Sequence, residues 1–486
     1  MARVFSREPI QQIGLFVFCL VIFTATAAPS LYTYDSAEFV IGAVTLGIVH
    51  SPGYPLYLLI AHLFTLLPIG DIPFRVNLLS SVCLALTAPI LFTLIKRLLK
   101  DRWIALSGCL SVVLSFLVWS SAIRAEVYTP QLLTLAITGW ALVRAAQKPS
   151  TGAALIAGAA YGIALAMDPG SILFAPGILI VFLALKLTWR DRFVSGALAL
   201  ILFALPLLYF PIRYAANPML NLAGQYDAAG NFQRVDLTTL QGILWVLRGQ
   251  QFSSLFFTNG LLPSADQLSK FVYQFWHNFI GIGILIGFVG IVFMPRKVRW
   301  AWLIFFVPYA YFFVSYGAID NETMYSPALL LWGIAIAYGL DWLIRHVERW
   351  LYIPLVLGLP LVMLAVNLPL LDVRTDDHVR ERAQIIMDAL PAGYVFGGWF
   401  DLVPMQYLQI IEGERPDLHL YNLFLFDDKT LAQYVSTLNS VVFVGNQIDP
   451  SMLNGGGGWT PIELALPDLE HPYQLRTELA GYWLTH

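Results

Sequence analysis

The sequence predicts a polytopic α-helical membrane protein of about eleven spans, with a small α/β domain at its carboxyl end. Three observations predict it. The 486 residues are 58% hydrophobic and only 12% charged, about half the charge density of a soluble chain. Apolar stretches recur as far as residue 370, and a bilayer core takes roughly 20 apolar residues per crossing helix. Lysines and arginines collect in alternate short loops, as they do in spanning proteins.

The apolar intervals are 10–28, 76–95, 103–122, 128–146, 152–167, 170–187, 193–213, 277–295, 299–317, 325–344 and 350–370. Arg3 and Arg7 precede the first, which is longer than a signal core and reads as a retained helix. Lys96, Arg97, Lys100 and Arg102, then Arg144 and Lys148, then Lys186, Arg190 and Arg192, then Arg296, Lys297 and Arg299, then Arg345 and Arg349 fall on the same side. That side is read as cytoplasmic. The opposite side receives loop 29–75, the turn with Arg124 and Glu126, Asp168, loop 214–276, the turn Asp320 to Glu322, and everything after residue 371. The plasma membrane is the expected location, with the amino end cytoplasmic and the carboxyl domain extracytoplasmic. Residues 55–68 are apolar but short and bounded by prolines, which suits an interfacial or re-entrant helix. Residues 152–187 read as two short spans or one broken pair, divided at Met167-Asp168-Pro169-Gly170.

The boundary between the membrane part (1–371) and the terminal domain (372–486) is a change of composition. Beyond it a helical pattern covers Val379 to Leu390, and short β-like runs lie at Tyr394 to Phe396, Leu418 to Tyr421 and Val441 to Val444. Gly455 to Gly458 read as a loop, since the lysine and helix start of a phosphate cradle do not follow. Trp399, Tyr407, Trp459 and Trp483 suit a small core better than sugar stacking. Cys19, Cys83 and Cys109 lie in apolar segments, which leaves no disulfide framework. A net charge of −3 offers no basic surface for nucleic acid.

The chemistry is sought in the first loop. It reads Tyr34-Asp35-Ser36-Ala37-Glu38-Phe39, then His50-Ser51-Pro52-Gly53-Tyr54-Pro55-Leu56-Tyr57, then Phe74-Arg75-Val76-Asn77. Asp35 and Glu38, three apart, share one face of a helix. In that arrangement one carboxylate can act as a base while the other orients a partner, or the pair is a helix cap with an acidic third position.

These residues resemble a large bacterial membrane family related to the eukaryotic transmembrane O-mannosyltransferases. The family pattern is close to Asp-Ser-Gly-Glu-Phe, His-Pro-Pro-Gly-Tyr-Pro-Leu-Tyr and Arg-Val-Asn-Leu; here Ala37 replaces Gly and Ser51 replaces Pro. The similarity continues through Trp119-Ser120, Ala125-Glu126-Val127-Tyr128, Pro211-Ile212-Arg213, Trp245 and Arg248-Gly249-Gln250-Gln251-Phe252. Near Met167-Asp168 it departs, where the family often has Asn or His.

The resemblance implies a GT-C glycosyltransferase with its active site on the external face and a polyprenyl-phosphate sugar donor. It implies Asp35 as the base that takes the acceptor's hydroxyl proton in an inverting displacement, with Glu38 supporting the site. The leaving phosphate then needs cations, and Arg75, Arg213 and Arg248 stand at external positions; their plainer reading is interfacial anchoring. Arg124 and Glu126 cap helix ends or orient substrate, with Glu126 preferred for function. Gln250, His50 and Tyr54 are read as substrate-side hydrogen-bonding groups, and Asp320 is preferred to Asp168. No His-x-x-x-His, cysteine pair or Asp-x-Asp marks a metal site, so metal independence is expected, with carboxylates gathered from separate loops as the other route to a divalent ion. The partners are a lipid-linked sugar, a protein or glycan acceptor and the bilayer. A transporter or flippase is the rival, and it would place charge at the membrane midplane, whereas here charges sit at helix ends. A non-catalytic scaffold is the third reading.

Overall fold

A computed structural model describes residues 8–258, 260–318, 321–438, 440–444, 459–462 and 481–485. After α1 (Glu8–Thr26) come two short helices, α2 (Ser36–Thr45) and α3 (Pro55–Thr65), and the long α4 (Ile72–Leu99). The α3 helix starts on Pro55, whose fixed φ and missing N–H suit a first turn. At roughly 16 Å of rise its eleven residues are too short to cross a bilayer. Asn77 donates to the carbonyls of Ala28 and Ser30 at 2.9 and 3.1 Å, which ties the start of the first loop to α4.

The bundle continues with α5 (Arg102–Val113), α6 (Phe116–Ser120), α7 (Tyr128–Gln147), α8 (Thr151–Met167), α9 (Ala175–Ala184), α10 (Trp189–Ala204) and α11 (Tyr209–Ala215). A short hairpin, β1 (Gly224–Tyr226) and β2 (Phe232–Arg234), precedes α12 (Leu240–Leu247). Then follow α13 (Ala265–Asn278), α14 (Ile282–Phe293), α15 (Arg296–Val314), α16 (Ser326–Leu343) and α17 (Tyr352–Leu371).

Each of the eleven apolar intervals is occupied by helix, but their lengths differ from expectation. Among the described residues, five helical stretches are long and apolar enough to cross a membrane: Pro9–Thr26, Ile72–Leu99, Trp189–Ala215, Thr323–Leu343 and Arg349–Leu371. A sixth arises if α13 and α14, bent by 102° at their junction, count as one. The interval 103–122 is broken where α5 ends and Ser115 starts α6. Asp168 ends α8, and its carboxylate accepts from the Gly170 N–H at 2.7 Å to open a 3₁₀ turn, Pro169–Phe174, so 152–187 is a broken pair.

Small residues set the closest approach in the bundle. A methyl on Gly290 of α14 would lie 1.8 Å from the Ala335 carbonyl oxygen of α16, and one on Gly339 would lie 1.9 Å from that of Ile286. Gly290→Ala is therefore expected to force the helices apart and cost about 1–3 kcal/mol, as overpacking does. A lowered melting temperature in detergent would show this, and a melt equal to wild type would exclude the tight crossing.

Beyond α18 (His378–Ala389) the chain builds a five-stranded sheet: β3 (Gly393–Gly397), β4 (Leu418–Asn422), β5 (Ser440–Val444), β6 (Trp459–Ile462) and β7 (Gly481–Thr485). The order is β4-β3-β5-β7-β6; the first three strands are parallel and β7 is antiparallel to both neighbours. Helices α19 (Trp399–Ile411) and α20 (Asp428–Val435) follow β3 and β4 as right-sized crossovers. Tyr407 is buried in a core shared with the first loop. Gly455 to Gly458 and the side chains of Trp459 and Trp483 lie outside the described residues.

Candidate active site

Two carboxylates from one helix turn meet a single imidazole. Asp35 stands immediately before α2, yet its side chain accepts no capping hydrogen bond. The capping reading thus describes its position and not its bonding. Glu38, three residues on, points the same way and is fully buried. Its Oε1 accepts the His50 backbone N–H at 2.6 Å, and Oε2 lies 2.8 Å from His50 Nδ1. A further donor comes from the start of α19, where Trp399 Nε1 donates to the same Oε2 at 3.0 Å. His50 Nε2 is turned toward Asp35, with Oδ2 at 3.8 Å.

The local chain explains this placement. After α2 the chain doubles back, and Ile48 exchanges backbone hydrogen bonds with Leu220 and Leu222 of the long loop, both at 2.8 Å. A tight turn follows, in which the Gly53 N–H donates to the His50 carbonyl at 2.7 Å. Gly53 has φ +84°, and a Cβ there would lie 2.7 Å from the Phe210 ring, so only glycine fits. The turn leaves the His50 ring packed against Phe39, Tyr54, Phe252 and Trp399, with ring centres 5.4 to 5.8 Å away. Trp399 begins α19 directly beyond β3, and the Arg382–Asp401 pair at 2.9 Å locks α19 to α18. Burial raises the Asp401 carboxyl, and Arg382 partly offsets the rise.

Tyr54 marks where further groups converge. Burial holds its hydroxyl well above the usual phenol range, and the carboxylates of Asp168, Asp35 and Glu126 push it the same way. Arg124 and Glu126 are each 2% exposed and form an ion pair at 3.5 Å. The Arg124 guanidinium also lies 4.5 Å over the Tyr34 ring, next to Asp35 in sequence. Helix-end capping alone does not describe so deeply buried a pair.

The remaining arginines are placed otherwise. Arg75 gives its donors to the carbonyls of Thr65, Ile69 and Gly70, closing the end of α3. Arg213 donates to the carbonyls of Leu46 and Thr45 at 2.7 and 3.0 Å and does the same for α2. It also borders an open cavity of about 450 Å³ with Thr45, Asn217 and Ile410. Arg248 and Gln250 are exposed. Asp320 lies outside the described residues.

Two neighbours of Gln250 make the contacts instead. Gln251 Oε1 accepts the Ser51 N–H at 3.2 Å, and Phe252 touches the His50 and Trp399 rings. Both fall inside the run Arg248 to Phe252 that carried the resemblance, so the signal was present one and two residues further on. Trp399 had only its place after a strand ending in Gly397-Gly398 to mark it.

Chemically the cluster offers one partly exposed carboxylate beside a fixed imidazole, with a second carboxylate buried behind. Donor atoms of Asp35, Glu38 and His50 lie within 4.8 Å of one another, a spacing open to a cation. Glu38 nevertheless already accepts two N–H groups and lies against the His50 ring nitrogen.

Comparison with known proteins places these residues in context. A family model described as the protein O-mannosyl-transferase TMEM260 N-terminal domain matches residues 35–191, beginning on Asp35. The mouse protein O-mannosyl-transferase TMEM260 is 25% identical over 498 residues, covering 94% of this chain and 67% of the mouse protein. Among solved structures, ArnT from Cupriavidus metallidurans bound to undecaprenyl phosphate superposes with a TM-score of 0.56 over 99% of this chain and 98% of its own, at 9% identity. The apo Archaeoglobus fulgidus oligosaccharyltransferase gives 0.55 over 91% and 70%, at 11% identity. The chain shares the GT-C fold with both and is related in sequence to the O-mannosyltransferases.

Proposed function

We propose that this chain, a membrane glycosyltransferase of the GT-C superfamily related to the transmembrane O-mannosyltransferases, moves a sugar from a polyprenyl-phosphate donor to a protein or glycan hydroxyl at the outer membrane face. Mannose is the first donor to test. The observation that carries the reading is the position of Asp35, which opens the family match and is the one carboxylate of its cluster with an exposed edge, at 18% against none for Glu38.

In this reading Asp35 takes the proton from the acceptor hydroxyl while the oxygen attacks the anomeric carbon, and the bond to phosphate breaks on the opposite side. The configuration inverts. Phosphate leaves with the bonding pair, and a guanidinium is the natural group to receive it. Arg248, exposed at the end of α12 and close in sequence to Gln251 and Phe252, suits that task. Arg213 beside its cavity is the second choice. Arg75 is assigned to closing α3, because its donors are taken by carbonyls. Glu126 and Arg124 form the wall behind Tyr34, and the terminal domain covers the site from the acceptor side.

No metal is assigned a step, since Glu38 has both oxygens occupied by N–H donors. The test is transfer by purified, detergent-solubilised protein from a panel of polyprenyl-phosphate sugars to membrane and protein acceptors. Label is expected to move from at least one donor, at an unchanged rate after chelation. Silence with the whole panel would sink the donor class, and loss of activity in EDTA restored by Mg²⁺ or Mn²⁺ would sink metal independence.

A further inference from the structure

Glu38 and His50 belong to one device. Glu38 is fully buried, and its two oxygens accept from a backbone N–H, an indole N–H and the His50 ring. The first two can only donate. Both oxygens are thereby held as acceptors, and the side chain has no exposed edge to offer a substrate. Its bond to Nδ1 therefore places the ring proton on Nδ1 and presents Nε2 as the basic nitrogen, as carboxylates commonly do for histidines in proton transfer. That nitrogen faces Asp35 Oδ2 at 3.8 Å. Four aromatic rings around His50 prevent the imidazole from turning away.

Resting on the glycosyl-transfer reading above, we infer that His50 is a positioning residue that strengthens Asp35 as a base, and that Glu38 serves His50 and not the substrate. The acceptor O–H bond breaks and its electron pair forms the bond to the anomeric carbon. The released proton passes to Asp35 and from its Oδ2 to His50 Nε2, while the bond to phosphate breaks and phosphate keeps that pair. Asp35 is left as a carboxylate, and the imidazolium lies between it and the Glu38 carboxylate. The proton leaves to water when the products depart. A carboxylate alone is a weak base for an alcohol, and an imidazole behind it gives the proton a second acceptor. The 3.8 Å separation closes by rotation of the Asp35 carboxylate, the more exposed partner.

The experiment separates this role from propping. His50→Asn keeps an N–H where Nδ1 donates to Glu38 but removes the basic nitrogen that faces Asp35. The expected result is a kcat lower by about 10²-fold, with KM for donor and acceptor and the melting temperature at wild-type values. A kcat equal to wild type, or a change confined to KM, would overturn the inference and leave Asp35 as base untouched. If His50→Asn does not fold, His50→Gln, which also removes the basic ring nitrogen facing Asp35, is judged by the same criteria. An Asp35→Asn protein that transfers at the wild-type rate would overturn the base and the inference together.

Discussion

Asp35→Asn is expected to lower transfer by about 10²–10⁴-fold, the usual contribution of a positioned general base. Asparagine has nearly the same shape and can still accept a hydrogen bond from the acceptor hydroxyl, so donor and acceptor KM should hold while kcat falls. The melting temperature should hold too, because asparagine fills the same space and α2 takes no cap from this side chain. The measurement is steady-state transfer alongside a melting curve. Activity within a few-fold of wild type in a folded Asp35→Asn protein would remove the base from the proposal and leave the carboxylate no better than a surface charge.

The second large effect is on stability. Arg124→Ala should cost about 3–5 kcal/mol, since it breaks an ion pair in a site where both partners are 2% exposed. Glu126 Oε2 keeps the Val127 N–H at 3.2 Å, and the contact of the guanidinium with Tyr34 is lost. The double variant Arg124→Ala with Glu126→Ala should recover part of the loss, because no charge is then left buried alone. Thermal melting in detergent decides the matter: a single variant as stable as wild type would mean that water or lipid headgroups already reach the pair.

Legibility followed distance along the chain. Asp35 and Glu38 lie three apart, and helical spacing alone put them on one face, where the structure has them meeting His50. The division of 152–187 at Asp168 was legible for the same reason, because it depends on residues next to one another. Arg75 was not separable from a phosphate binder, since a guanidinium that ends a helix and one that waits for an anion look alike until the carbonyls around them are located. Gln251 and Trp399 reach the cluster across 200 and 361 residues of intervening chain, and no local pattern encodes such a meeting. Helix length was misjudged at 103–122, where Ser115 interrupts an apolar run that hydropathy reads as continuous.

The indole that bonds Glu38 has a bearing on when the site is complete. Glu38 is made early and Trp399 follows 361 residues later, roughly 20–70 s at ordinary elongation rates. Throughout that interval the membrane helices can insert and the first loop can form its turn, while the carboxylate behind His50 lacks its third donor. A chain still short of Trp399 is thus an unfinished catalyst even with every earlier span in place, and the segment that carries the indole is the one that finishes it.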